Sequence, residues 1–255
     1  MRHDGNEHRG GWIGAAAALA LMIFGLTGII RWIAGDASGM RNAVLRFAPP
    51  PATGLPEQEY AGAAEMLTGY LTGRVPEFQY AWTDADGQMY LAFHDYEAEH
   101  MADCRALIRL DTAVCCICLV LTAGLAAAAA VRARKRGPGS WLSFLRGGRT
   151  GVWILSGIAA AFVLWACVDF DSLFLCFHRA AFRNDLWLLN PGTDLLIRLM
   201  PEALFEHLGV KGLSLAAIWT GLTGAGIRLG IRRLERGGKH EIPGNHGRAD
   251  QDAEK

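Results

Sequence analysis

The sequence predicts an all-α membrane protein, with four transmembrane helices and a small mixed extracellular cap formed by the two outer loops. Three observations predict it. First, the 255-residue chain is 51% hydrophobic at formal net charge +0, which a soluble protein could match, but its apolar residues are gathered into runs. Uncharged runs occupy 12–30, 113–131 and 152–168, and a weaker one at 208–227 is interrupted by Lys211. About 20 residues cross a ~30 Å hydrocarbon core, so four runs give four crossings. Second, basic residues are lopsided. The short loop 132–150 holds Arg132, Arg134, Lys135, Arg136, Arg146 and Arg149 and no acid, while the much longer 35–107 holds only Arg41, Arg46, Arg74 and Arg105. Third, the segment between the first two runs has the patterning of folded structure.

The basic bias sets orientation, because positively charged loops stay in the cytoplasm. Arg228, Arg232, Arg233, Arg236 and Lys239 place the C-terminal tail on the same side. They abut a helix end and read as membrane anchoring, so no nucleic-acid partner is expected. The expected order is a disordered cytoplasmic N-terminus (1–10), TM1 (11–34), an extracellular cap segment (35–107) and TM2 (108–131). A basic cytoplasmic loop (132–150), TM3 (151–170), an extracellular motif segment (171–207), TM4 (208–231) and a cytoplasmic tail (232–255) complete it. The first run is read as a retained helix. Its apolar core exceeds the roughly 7–15 residues of a signal peptide, and no small-x-small cleavage pattern follows.

Each element has its own signal. The first span is rich in Ala and Gly, with Gly25-x-x-Gly28, the composition of close helix contact. The Ala run 126–130 and Gly221, Gly224, Gly226 and Gly230 suggest the same. Pro49-Pro50-Pro51 is expected to be a stiff extended connector. Pro56 opens a helical stripe of Tyr60, Ala63, Ala64, Leu67, Tyr70 and Leu71, with Gly73 as its stop. Phe78, Tyr80 and Trp82, then Met89, Leu91 and Phe93, alternate around Asp86-Gly87 as a hairpin would. From Asp95 the pattern turns helical and runs unbroken into the second span. Residues 141–145 read as an interfacial segment.

The chemistry-bearing residues lie in two outer segments. On the helix from Asp95, Glu97, His100 and Asp103 fall within an arc of about 120°. Within 177–205, His178 stands among Phe174, Phe177, Phe182 and Trp187, followed by Asn184, Asp185, Asn190-Pro191 and Pro201-Glu202. An aromatic wall holding a few polar groups is the composition of a site for a lipid-like ligand. His100 lies 31 residues before Val131, about 46 Å along a straight helix, and His178 lies 26 after Val152, about 39 Å if that helix continues. The second and third spans form an antiparallel hairpin, so the two imidazoles are expected at one depth, near the outer headgroups.

Other readings compete. His, Glu and Asp on one face could ligate zinc, but the HExxH spacing is missing and no metal is expected. Three of the six cysteines, Cys115, Cys116 and Cys118, cluster in the second span as small apolar side chains. Only Cys104 and Cys176 are placed to meet outside. Cys176 and His178, two apart on a helix, point away from each other and make a poor nucleophile pair.

The segments Glu97-x-Glu99-His100-Met101-x-Asp103 and Phe177-His178-x-x-x-Phe182-x-Asn184-Asp185-x-Trp187-x-Leu189-x-Pro191-x-x-Asp194, closing on Pro201-Glu202-x-x-Phe205, resemble the lipoprotein intramolecular transacylase family. The resemblance covers roughly 10–235. Cys104 and Asn190 stand where that family's pattern often has valine and aspartate. The resemblance implies a cofactor-free membrane acyltransferase acting on a diacylglyceryl-modified bacterial lipoprotein in membrane lipid. It moves the sn-2 acyl chain to the α-amino group of the N-terminal cysteine and leaves a lyso form. It implies His100 and His178 as the catalytic pair, and two imidazoles suit a reaction in which an amine loses a proton and a glyceryl oxygen gains one. Beside them, Glu97, Asp103 and Asp185 are candidates to orient an imidazole, Arg183 and Asn184 to stabilise an oxyanion, and Phe177, Phe182 and Trp187 to line the substrate pocket. Two other classes stay open: a non-enzymatic module whose outer cap binds lipid or protein, and a metal-dependent membrane hydrolase.

Overall fold

The computed structural model describes residues 4–239 except Ala85, with side chains described from 10 to 236. The outer parts of the expected N-terminus (1–3) and tail (240–255) lie outside the described residues. Three helices are long and apolar enough to cross a membrane: α1 (Asp4–Gly35), α5 (Asp95–Arg136) and α6 (Pro138–Val168). A fourth long helix, α9 (Glu202–Lys239), packs against α1 and α6. Helix α1 starts at Asp4, upstream of the expected boundary at 11.

Helix α1 is the centre of the bundle and touches α5, α6 and α9. Its contact with α6 is backbone on backbone. A Cβ on Gly14 would overlap the Phe144 carbonyl, and one on Gly147 would overlap the backbone of Gly11. On the α9 side, Gly25 leaves room for the Trp219 indole, whose Nε1–H donates to the Leu21 carbonyl at 3.2 Å. Of the glycines expected to make contacts on α9, only Gly230 does, against Leu145, while Gly221, Gly224 and Gly226 face open space. Their helix turns them away from α1 and α6. On the outer surfaces of α5 and α6, Val120, Trp153 and Val168 are each at least 70% exposed. A girdle of large exposed apolar side chains is the surface of a lipid-facing helix.

One end of the bundle carries a compact assembly with its own core. It contains α2 (Ala37–Phe47), α3 (Pro50–Thr53), α4 (Tyr60–Leu71), the strands β1 (Ala81–Thr83) and β2 (Met89–Leu91), and α8 (Leu195–Leu199). The three prolines do not form the extended connector expected of them. Pro50 opens α3, because proline's fixed φ suits the first helical position, where no N–H bond is lost. The Tyr60 hydroxyl donates to the Ala48 carbonyl at 2.6 Å and pins this turn to α4. The strands pair antiparallel with Trp82 opposite Tyr90.

Two helix ends position the site. At the start of α5, the Glu97 carboxylate accepts from the backbone N–H of His94 at 2.8 Å and of Leu196 at 2.7 Å, and no part of the residue is exposed. It joins the first turn of α5 to the first turn of α8. At Val168 helix α6 stops. Asp169 leaves helical geometry (φ −156°, ψ 83°), and its side chain caps a new helix, α7 (Phe170–Ala181), by accepting from Ser172 N–H at 2.9 Å. The uninterrupted third helix assumed in the sequence count is therefore broken, and α7 is re-aimed.

Candidate functional site

The first turns of α5 and the last turn of α7 face each other at the bundle's assembled end. They bring His100 and His178 together, with ring centroids 6.5 Å apart. Both are buried, at 7% and 9% exposure. They lie in the wall of a cavity of about 900 Å³, which also reaches Met101 and Cys104 on α5, Phe174 and Phe177 on α7, Leu196 and Ile197 on α8, and Phe205 on α9. That volume falls in the range of about 300–1,000 Å³ common for ligand pockets. Its walls are almost wholly apolar.

Aromatic rings surround His178. Phe174 lies 3.9 Å away between centroids, Trp187 5.1 Å, Phe177 5.3 Å at right angles, and Phe182 5.5 Å. Phe182 also meets His100 edge-on at 5.0 Å. The three expected pocket residues, Phe177, Phe182 and Trp187, all line the cavity.

The ring nitrogens differ in their partners. His178 Nδ1 is 2.8 Å from the Phe174 carbonyl, which can only accept, so Nδ1 carries the proton and Nε2 presents a lone pair. His100 Nε2 meets Cys104 Sγ at 3.6 Å, and its Nδ1 is buried without a hydrogen-bond partner. Burial holds both imidazoles below the ordinary histidine value. For His100 the neighbouring His178 adds to the effect and Asp103 opposes it; for His178 the bond to Phe174 opposes it. The pair is neutral near pH 7.

The expected orienting carboxylates do something else. Glu97 is consumed by the two backbone N–H groups. Asp103 accepts from Asn184 Nδ2 at 2.8 Å, which ties the loop after α7 to α5. Arg183, Asn184 and Asp185 are exposed, and none lines the cavity. No carboxylate is bonded to either imidazole in the described structure. Among the described residues, no group of three or more His, Cys, Asp or Glu is placed to share a metal ion. The six cysteines are free thiols, Cys104 and Cys176 included.

Two contributors were not legible in the sequence, and a third was legible only once α5 was drawn. Asp194 accepts from the Tyr96 hydroxyl at 2.5 Å across 98 positions and from Asn190 N–H at 2.7 Å, fixing the loop that carries Trp187 and Leu189. The Phe174 carbonyl is a backbone group, which no residue pattern advertises. The proximity of Cys104 to His100 follows from i,i+4 spacing, a signal available from the sequence once α5 is drawn.

A family model described as "Lipoprotein intramolecular transacylase Lit" matches residues 15–205. Among solved structures, the membrane integral lipoprotein intramolecular transacylase Lit from Bacillus cereus is similar at TM-score 0.66 and 17% identity, over 90% of this chain and 98% of that one. A variant of the same Bacillus cereus protein with one histidine replaced by arginine gives TM-score 0.65 at 17% identity, over 92% and 96%. Among curated proteins, no sequence matches.

Proposed function

The chain belongs to the lipoprotein intramolecular transacylase family, and from that premise we propose that it moves the sn-2 acyl chain of a diacylglyceryl-modified lipoprotein to the α-amino group of the same N-terminal cysteine. The observation that carries this reading is the pair of buried imidazoles, 6.5 Å apart, in the wall of an apolar cavity of ligand size. The α-amine attacks the sn-2 ester carbon, forming the C–N bond and pushing charge onto the carbonyl oxygen. His178 Nε2, the lone pair left by the Phe174 bond, accepts the amine's proton. Collapse breaks the bond to the glyceryl oxygen, which takes that proton back, and an amide and a free hydroxyl result. The reaction consumes no co-reactant. Because donor and acceptor belong to one molecule, the enzyme's main contribution is to fold it and keep water out, which an aromatic wall does.

In this reading α9 is the fourth crossing, and its exposed Val210, Ile218, Leu222 and Leu229 would face lipid. Both termini and the 132–150 loop lie on the cytoplasmic side of the cell membrane. The histidines stand at the outer interface beneath a cap formed by 35–107 and 171–207.

The test is replacement of each histidine. His100→Ala and His178→Ala should insert at normal abundance, and each should lower conversion to the lyso form by about 10²–10⁴-fold, the usual worth of general acid–base help. Acting as one unit, the double variant should be scarcely slower than either single. Intact-lipopeptide mass spectrometry with fragmentation is required, since acyl migration leaves the mass unchanged. Near-normal conversion by either variant would remove that histidine from the mechanism.

A further inference from the structure

The connection between α7 and α8 has two faces. Phe182, Trp187 and Leu189 line the cavity, with Trp187 5.1 Å from the His178 ring and Phe182 5.0 Å from the His100 ring. Arg183, Asn184, Asp185 and Leu188 are exposed. The segment 182–194 is therefore a strap between the two imidazoles and solvent. Its far end is fixed twice, by Asp194 to Tyr96 and by the Leu196 N–H to Glu97. Its near part is held by one side chain. Asn184 Nδ2 donates to Asp103 on α5 at 2.8 Å, and Asn184 Oδ1 accepts from Leu186 N–H at 3.3 Å in the turn that presents Trp187. Among the described residues, the bond to Asp103 is the one hydrogen bond leading from 183–189 to another element.

We propose that Asn184 and Asp103 are positioning residues whose bond keeps the strap closed, and that closure decides whether the acyl chain goes to the amine or to water. This rests on the transacylase reading given above and adds what protects it. The His178 Nε2 lone pair would take a proton from an attacking water as it does from an attacking amine, so the acid–base chemistry does not choose between them. Exclusion has to choose. With the strap open, water attacks the sn-2 ester carbon and forms a C–O bond, and its proton passes to His178. The bond to the glyceryl oxygen breaks and that oxygen takes the proton. A free fatty acid leaves, beside a lipoprotein whose α-amine is unmodified. Water is the only co-reactant. A hydrogen bond at the surface exchanges with solvent at little net cost, which suits a latch.

The experiment uses full-length protein in lipid nanodiscs and a synthetic diacylglyceryl lipopeptide. Transfer leaves the lipopeptide mass unchanged, whereas hydrolysis removes one acyl group and releases a fatty acid, so mass spectrometry counts both products. The wild type should give almost wholly the mass-neutral product. Asn184→Asp sets two carboxylates against each other. It should raise the ratio of fatty acid to N-acyl product by roughly two- to tenfold, the change in open population that loss of one net hydrogen bond allows. The double exchange Asp103→Asn with Asn184→Asp reverses donor and acceptor, keeps an oxygen for Leu186 N–H, and should return the ratio to that of the wild type. Should Asn184→Asp insert poorly, Asn184→Ala reads the same ratio. A ratio unmoved by these single variants overturns the proposal, including the case in which both products fall together and the bond is only structural. A double exchange that stays leaky overturns it too. N-acyl product with an unmoved ratio sinks the latch alone. Fatty acid as the sole product of every form, the wild type included, sinks the transacylase reading and the latch with it.

Discussion

Four aromatic rings surround His178, and what they exclude is water. An imidazolium there would lose its hydration with only one backbone carbonyl in exchange, so the neutral form is favoured. The same holds for His100, with the second imidazole adding to the penalty. Both folded-state values lie below the unfolded value of about 6.5. The unfolded chain therefore binds more protons between those limits, and the histidines' contribution to stability is complete above about 6.5 and lost as pH falls through the depressed folded values. Conversion should follow the same sign. Below the titration of the substrate's own α-amine, whose ordinary value is about 7.7–8.0, it should show a second acid limb whose midpoint lies below that of an ordinary histidine, measured as lyso-form yield against pH in nanodiscs. A histidine limb with its midpoint at or above the ordinary value would mean that burial does not depress the imidazoles. At this scale the sequence was informative about which residues gather and uninformative about what holds them. The two histidines and Phe177, Phe182 and Trp187 were legible from composition, whereas the carbonyl that fixes His178 belongs to the backbone.

Between elements, Glu97 has the largest mechanical role. Its carboxylate accepts from the first turns of both α5 and α8, two helix starts that lack intrahelical acceptors for these N–H groups. Glu97→Ala would leave the buried Leu196 N–H unsatisfied, costing about 1–3 kcal/mol, and the part-buried His94 N–H without its acceptor at a smaller cost. A loss of roughly 2–4 kcal/mol is expected, read from a lowered Tm, with conversion falling because Leu196 and Ile197 line the cavity. Glu97→Gln keeps one acceptor oxygen and should lie between. The helices α4 and α5 and the hairpin were readable from period and turn residues. The break at Asp169 was not, because Phe170 and the residues after it continue the apolar run and hide a cap that only geometry exposes. The proline triplet misled for a related reason: proline fits both an extended segment and the first turn of a helix, and here the Tyr60 hydroxyl favours the second.

For the molecule as a whole, the sequence placed two residues 78 positions apart at one height by counting along a helical hairpin, and the rings meet. The count worked because α5 is unbroken from Asp95 to Arg136; the break in α6 would have defeated it had α7 pointed elsewhere. Contacts such as Tyr96 with Asp194 link segments with no shared periodicity and could not be read from the chain. Orientation is the whole-molecule prediction. An impermeant thiol reagent applied to intact cells should label exposed Cys176 faster than half-buried Cys104, and a tag inserted at residue 140 should stay hidden. Labelling of the tag from outside would invert the topology.

The apolar cavity beneath the two histidines has one kinetic consequence. In the proposed reaction an internal acyl shift would leave the number of chains on the lipoprotein unchanged, so the product would fill the cavity as well as the substrate. No fragment departs, and nothing about size favours release. Turnover then depends on exchange with the surrounding bilayer, and converted lipoprotein competes with unconverted for the same greasy berth.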